Sequence, residues 1–349
     1  MRLRNSAGLL VTIALACLLV AAVGCKSTTS KVIAHWPKAD SERTVTSGDG
    51  TPRWPLTGMP ASTAADISRR VLSIKVENSP EARPQTNLQR ADVVYESVTE
   101  GGITRFNAMF QSDDPDRVGP VRSARLSDLY IVPQYHALFV FSGASSTVNG
   151  RVKTAGIENL SEDAGISYPY MRSTDRSAPH NLFVIPAKAR EEAAKRKMVT
   201  TKSINGLSFG ASGDDSTQTV ASIYIPFSAA NKVLWEYDKS TNTYLRTNNG
   251  KAHTDKATGK QLSARNVVVM WAKYTPASHD KVGSAIYDIT LAGTGRVSVF
   301  HDGVCWNGTW TATKDAPPKF TSSDGRQIRL TAGNTWFQVI QTSTVITLK

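Results

Sequence analysis

The sequence predicts an α+β protein in two parts: a mixed α/β part over 54–199 followed by a β-rich part over 220–349. Three observations carry that expectation. Up to about residue 199, short runs rich in Val, Ile and Phe alternate with helical patterns. From 220 onward the apolar runs continue, separated by Asn-Gly and Asp-Gly pairs, and no helical pattern returns. Between the two lies a polar, Gly/Ser-rich stretch, 200–219, which reads as a linker. A hydrophobic content of 40% with 20% charged residues describes a globular chain rather than a disordered one.

The chain opens on a basic Met1-Arg2-Leu3-Arg4, and the run from Ala7 to Val23 carries no charge. That is the layout of a secretory leader, expected here over 1–24. Ala22-Val23-Gly24-Cys25 resembles the lipobox of bacterial lipoproteins. The resemblance implies cleavage before Cys25 and a diacylglycerol on its thiol; Cys17 would leave too short an apolar region. An uncleaved single-pass anchor is the competing reading, since a spanning helix needs about 20 apolar residues and this run is borderline. Either way the remainder lies outside the cytoplasm, attached to the outer face of the membrane. Residues 25–53 are then the lipidated cysteine and a tether reaching on the order of 30 Å. Cys305 is left without a partner for a disulfide, and burial is the simpler reading than catalysis with the nearby His301.

Lys and Arg number 41 against 29 Asp and Glu, a net +12 that falls to +10 when Arg2 and Arg4 leave with the leader. In the cytoplasm such a balance would first suggest nucleic acid. Outside it, the polyanions at hand are lipid headgroups, wall polymers and lipid-linked pyrophosphates, so nucleic acid is not an expected partner.

Ordered structure is expected from Trp54-Pro55-Leu56-Thr57-Gly58 onward. Val71 to Val76 reads as a buried strand ending at the turn Glu77-Asn78-Ser79-Pro80. Asp92–Thr99 and Ile103–Gln111 are strands of a hairpin, because Gly101-Gly102 supplies positive φ without steric cost. After the turn Asp113-Asp114-Pro115-Asp116, Arg117–Val121 reads as a further strand. A helix is expected over Asp128–Gln134, a strand over Ala137–Phe141, and a helix over Thr147–Ala155 stopped by Gly156. Pro186 opens a clearer helix, with acidic residues early and Lys195-Arg196-Lys197 late, as the helix dipole favours. Beyond the linker, strands are expected at 233–238, 243–247, 266–272, 285–292, 297–301 and 336–340. Turns are expected at Asn249-Gly250, Asn307-Gly308, Asp324-Gly325 and Gly333-Asn334. These short strands suit a sandwich or open barrel.

A series of ordered motifs spans this framework. Among them are Pro55-Leu56-Thr57-Gly58, Lys75-Val76-Glu77-Asn78-Ser79, Ala82-Arg83-Pro84-Gln85 and Ala91-Asp92-Val93-Val94-Tyr95-Glu96. Glu100-Gly101-Gly102-Ile103-Thr104-Arg105-Phe106, Val118-Gly119-Pro120-Val121-Arg122-Ser123-Ala124-Arg125 and Ala178-Pro179-His180-Asn181-Leu182 follow. Trp235-Glu236-Tyr237-Asp238, Gly308-Thr309-Trp310 and Gly333-Asn334-Thr335-Trp336 extend the series into the second part. Together they resemble the YerB-like lipoprotein family of Gram-positive bacteria over roughly Pro55 to Ile340. The resemblance implies a mixed N-terminal domain, a β-rich C-terminal domain and a lipid anchor; it supplies no reaction and no catalytic residues.

The chemistry legible in the residues is basic. Arg105 lies in the hairpin strand, Arg122 and Arg125 follow the next strand, and Arg172 and Arg176 precede His180. Guanidinium forks match phosphate oxygens and stay charged at working pH. Ser145 sits between a strand end and a helix start, where backbone N–H groups favour an anion. These seven residues are the candidate anion site. The competing reading pairs each arginine with Asp92, Glu96, Asp128 or Asp175. Glu77, Glu96 and Glu100 could supply paired carboxylates, and His253-Thr254-Asp255 two metal ligands, but surface, ion-pair and loop roles are the simpler accounts. Trp306, Trp310 and Trp336 are expected in the core. No metal or cofactor signature is present. The expected function is binding of an anionic envelope ligand or an envelope protein partner. The alternative is a phosphotransferase or hydrolase acting on phosphorylated wall precursors, by distant analogy to LytR-CpsA-Psr phosphotransferases.

Overall fold

Period-two alternation of apolar side chains lays down the sheets, and glycine-bearing turns set their order. The computed structural model describes residues 50–211, 217–279 and 283–349. The expected leader, Cys25 and most of the tether lie outside the described residues.

In the first part, β1 (Leu72–Glu77) is followed by the hairpin β2 (Val93–Val98) and β3 (Thr104–Phe110). Gly101 and Gly102 make the turn, with φ of 68° and 73°. Then come α1 (Asp128–Gln134), β4 (Leu138–Phe141), α2 (Ser146–Thr154) and β5 (Asn159–Ser161). The hairpin β6 (Tyr170–Arg172) and β7 (Leu182–Val184) leads into α3 (Pro186–Lys195). Among the described residues, all three α-helices precede residue 199. The second part is built, among the described residues, from strands alone. They are β8 (Thr217–Thr219), β9 (Ser222–Pro226), β10 (Lys232–Asp238), β11 (Thr243–Asn248), β12 (Lys251–Ala252), β13 (Ser263–Ala264) and β14 (Asn266–His279). After them come β15 (Ala285–Thr290), β16 (Gly293–His301), β17 (Val304–Ala312), β18 (Lys319–Ser322), β19 (Gln327–Ile328), β20 (Thr335–Gln341) and β21 (Thr347–Leu348). The fold is α+β, mixed first and β-rich after.

One large sheet runs β19-β18-β17-β16-β14-β20-β2-β3-β1-β4-β5, with β15 and β8 attached to β14 and β17. Strands of both parts therefore share it, and the joint is the parallel pairing of β2 with β20. A smaller sheet, β12-β11-β10-β9-β21 with β13 on β11, covers one face. There Leu72, Ile74, Val76, Phe106 and Trp336 pack with Trp235 and Tyr244. The opposite face buries Tyr95, Met109 and Phe139 against Ile131 and Val132 of α1 and Val148 and Val152 of α2.

Three local expectations change. Arg117–Val121 is not a regular strand but makes isolated pairings, Val118 with Val184 and Val121 with Val76, because Pro120 has no N–H for a ladder. Asn307-Gly308 is not a turn: both lie inside β17, and the turn between β16 and β17 falls at Asp302-Gly303, where φ is 55° and 74°. Finally, 201–210 is held against the body. Lys202 N donates to Ser68 O at 2.7 Å, Leu207 N to Pro55 O at 2.9 Å and Gly210 N to Leu330 O at 3.0 Å.

Candidate functional site

On the helix-covered face, alternation in β1 presents Ser73, Lys75 and Glu77, while β3 presents Arg105 and Asn107. Register sets Glu77 opposite Arg105 and Lys75 opposite Asn107. Strands β1 and β4 run parallel but pair only as far as Ile74 and Val140. Beyond that point the segment 120–124 enters between them. Arg122 N donates to Lys75 O at 2.9 Å, Ser142 N to Arg122 O at 3.2 Å, and Ala124 N to Gly143 O at 2.9 Å. The wedge delivers Arg122 and Arg125 to the carboxyl ends of two parallel strands, the place where open α/β sheets form ligand crevices.

The charges here are dense and largely buried. Lys75 Nζ lies 2.7 Å from Asp128 Oδ1, with both side chains enclosed; burial lowers the Lys75 pKa and Asp128 opposes that shift. Asp128 also accepts from Asn107 Nδ2 at 3.0 Å and from Arg125 N at 2.7 Å. Arg125 grips Glu100 Oε2 through Nε at 2.8 Å and Nη2 at 2.6 Å. Arg105 is less well served. Its Nη1 is 3.7 Å from Glu100 and makes only a 3.5 Å contact with Ser123 O, and its buried Nε has no hydrogen-bond acceptor. Burial, then repulsion from Arg125, pushes the Arg105 guanidinium down to about 9, still charged at neutral pH. Arg122 Nε sits 3.2 Å from Glu77 Oε1 without hydrogen-bonding geometry and is buried without another acceptor. Glu77 itself is enclosed and accepts from Ser79 Oγ at 3.1 Å and from His180 Nδ1 at 3.1 Å to each oxygen. Lys75, Arg105, Arg122, Arg125 and His180 thus face three carboxylates, Glu77, Glu100 and Asp128.

Of the residues singled out from the sequence, Arg105, Arg122, Arg125 and His180 meet in this cluster, Arg105 and Arg125 at Glu100 and Arg122 and His180 at Glu77. Ser145 caps α2, its Oγ accepting from Val148 N at 3.2 Å. Arg172 is exposed, bonded to Asn181 at 3.0 Å and near Glu162 at 3.5 Å. Arg176 donates to Ala82 O at 2.7 Å and Pro84 O at 3.2 Å and pairs with Asp175 at 3.4 Å, as the competing reading expected. Cys25 lies outside the described residues. Asp128 does enter an ion pair, but with Lys75, and Asp92 caps the backbone of Gln111 and Ser112. The enclosing roles of Lys75, Glu77 and Glu100 were not legible as a set; strand parity was the available signal for Lys75 and Glu77, whereas Glu100 lies in the turn after β2.

A second buried network occupies the other face. Arg246 is fully enclosed, 2.9 Å from Glu96, with its guanidinium 5.0–5.7 Å from the rings of Trp336, Trp235 and Phe106. His253 Nδ1 accepts from Arg246 Nε at 3.0 Å, and its Nε2–H donates to Gln85 Oε1 at 2.7 Å. Burial, then Arg246, drives the His253 pKa well down. Beside this network a cleft of about 350 Å³ opens between the two parts, lined by Pro80, Arg83, Asn248, Lys251 and His253. Asp255 accepts from the backbone of Asn87 and Gln89, both at 3.0 Å, so it does not join His253 as a metal ligand. No metal-binding cluster of His, Cys, Asp and Glu occurs among the described residues. Cys305 is buried and its thiol is pushed up to about 12 by desolvation, too high for a nucleophile. Trp306, Trp310 and Trp336 are buried.

Comparison with known proteins agrees with this architecture. Residues 56–199 match the family profile described as "Protein of unknown function (DUF3048) N-terminal domain", and 223–337 match its C-terminal domain. "Putative lipoprotein YerB" of Bacillus subtilis (strain 168) is 28% identical over 294 residues, which is 82% of this chain and 85% of that protein. The crystal structure of YerB from Bacillus subtilis superposes with a TM-score of 0.75 at 27% identity, covering 84% of this chain and 99% of that chain. In sequence, in the order of its two parts and in three dimensions, this chain belongs to the YerB-like family.

Proposed function

We propose that this protein is a lipoprotein anchored through Cys25 at the outer face of the cytoplasmic membrane, where it binds a phosphate-bearing anion of the cell envelope. The anchor rests on the leader, the lipobox-like Ala22-Val23-Gly24-Cys25 and a relative named as a lipoprotein. Two acyl chains hold a protein firmly where one does not.

The observation that carries the binding role is the unsatisfied guanidinium pair. Arg105 is 6% exposed with an orphan Nε, beside Arg122, whose buried Nε likewise has no hydrogen-bond acceptor. Unsatisfied buried donors cost free energy, and like charges held together cost more. An oxyanion entering at the carboxyl ends of β1 and β4 relieves both costs. Arg125 and His180 border the same space, each already anchored to a carboxylate.

Ligand that binds only the folded state stabilises it by about 2.7 kcal/mol at a hundredfold excess over Kd. Phosphate and pyrophosphate are therefore expected to raise the melting temperature beyond the effect of sulfate at equal ionic strength. Arg122→Ala, at a half-buried site, is expected to fold and to lose that increment. A melting temperature indifferent to phosphate and pyrophosphate would remove the anion site and leave a protein partner as the leading role.

A further inference from the structure

We propose that Glu77 and His180 make this charge cluster a site of general-base catalysis on phosphate esters, with His180 Nε2 as the base; the proposal rests on the anion-binding reading above. A histidine used only as a structural tie spends both ring nitrogens. His253 does so, on Arg246 and Gln85. His301 does so too, with Nδ1 on Asp302 at 2.7 Å and Nε2 on Arg329 O at 3.0 Å. His180 spends one. Its Nδ1 meets both oxygens of Glu77 at 3.1 Å, and its Nε2 has no protein partner among the described residues.

The division of exposure fits the task. The Glu77 side chain is 2% exposed and the His180 side chain 23%, so the orienting carboxylate is shielded while the ring is reachable. A carboxylate acceptor fixes the proton on Nδ1 and leaves the lone pair on Nε2, the arrangement that lets an imidazole take a proton. Glu77 is also the carboxylate that Arg122 approaches at 3.2 Å. Base and phosphate-gripping guanidinium are therefore held by one anchor. Glu77 acts as a positioning residue; His180, Arg105 and Arg122 touch the substrate.

In the step itself, a water or alcohol hydroxyl attacks the phosphorus of an ester whose non-bridging oxygens rest on Arg105 and Arg122. Its proton passes to His180 Nε2 as the new P–O bond forms. The bond from phosphorus to the leaving oxygen breaks with its electron pair on that oxygen, which is protonated by the imidazolium or by solvent. Nothing is oxidised or reduced.

The full-length protein in detergent micelles is assayed with p-nitrophenyl phosphate and bis(p-nitrophenyl) phosphate, alongside the phosphate-induced melting shift. Turnover of at least one ester is expected. General-base contributions run to roughly 10²–10⁴-fold, so His180→Gln is expected to lower kcat at least about a hundredfold while keeping the melting shift. Glu77→Gln is expected to lower kcat with KM little changed, and Arg122→Ala to raise KM and lose the shift. A melting shift without turnover overturns the catalytic proposal and leaves binding standing. Undiminished turnover in His180→Gln also overturns it. Absence of both shift and turnover fails both readings.

Discussion

At the scale of single residues, the protein concentrates charge in two enclosed places with opposite character. The Arg246 network is closed to solvent, with Arg246, Glu96 and His253 all buried, although Trp336 Nε1 and Gln338 Nε2 beside it have no acceptor. The Arg105 cluster is reached by solvent at Arg122 and His180 and leaves the Nε of Arg105 and of Arg122 without an acceptor. The closed network predicts a pH dependence. The His253 pKa in the folded state lies well below its ordinary 6.5, chiefly through burial. Between those two values the unfolded chain binds a proton that the folded chain refuses, so stability falls as pH drops through 6.5. The slope attributable to one such group is at most about 1.4 kcal/mol per pH unit. His136 and His301 are also lowered and act in the same sense. Denaturant melts between pH 7.5 and 5 should show this fall, and His253→Gln should be less stable at pH 7.5 yet flatter by one group's share. An unchanged slope in that variant would place the proton linkage elsewhere.

At the scale of elements, glycine has two different uses here, and only one is readable locally. Gly101-Gly102 and Asn249-Gly250 adopt positive φ in hairpin turns, as their dipeptides advertise. Gly308 looks the same in sequence but sits in mid-strand. A Cβ there would lie 2.2 Å from Thr321 O of the neighbouring β18. The residue is glycine because another backbone comes close, a need set by the partner strand and not by its own turn. Gly308→Ala is therefore expected to destabilise by about 1–3 kcal/mol through forced separation of β17 and β18. Gly150→Ala, in α2 with open space around the position, should be neutral or stabilising. Equal melting temperatures for the two variants would argue against close approach as the role of Gly308.

At the scale of the whole molecule, the two sequence-defined parts are stitched edge to edge. β2 pairs along Val93–Ser97 with Thr335–Val339 of β20, and the Glu96–Arg246 pair ties the large sheet to the smaller one. The described residues all fall in one compact unit, Arg43–Lys349. A cut introduced at 211–216 is therefore expected to leave two fragments that co-elute in gel filtration and separate only in denaturant. Separate elution under native conditions would mean that the shared sheet contributes little to holding them together.

How far the sequence alone reached follows from the range of each interaction. The α+β class, the first hairpin, α1 over Asp128–Gln134 and the absence of helix in the described second part were legible, since periodicity and turn residues act over a few positions. The basic leader and the lipobox-like Cys25 are linear motifs that lie outside the described residues. Burial of Trp310 and Cys305 followed from strand composition. What alternation could not say was which cations would meet. Arg105, Arg122, Arg125 and His180 converge because 120–124 wedges between two diverging parallel strands, whereas Arg172 and Arg176, as close in the chain to His180, are drawn to other partners. Arg246 was invisible for the same reason. Its partner Glu96 is 150 positions away, and in β11 it shares its inward parity with Tyr244 and Asn248 while Leu245 points the other way. Local sequence determined which residues form strands and turns; long-range register and sheet pairing decided which charges face one another, because only the assembled sheet sets their distances.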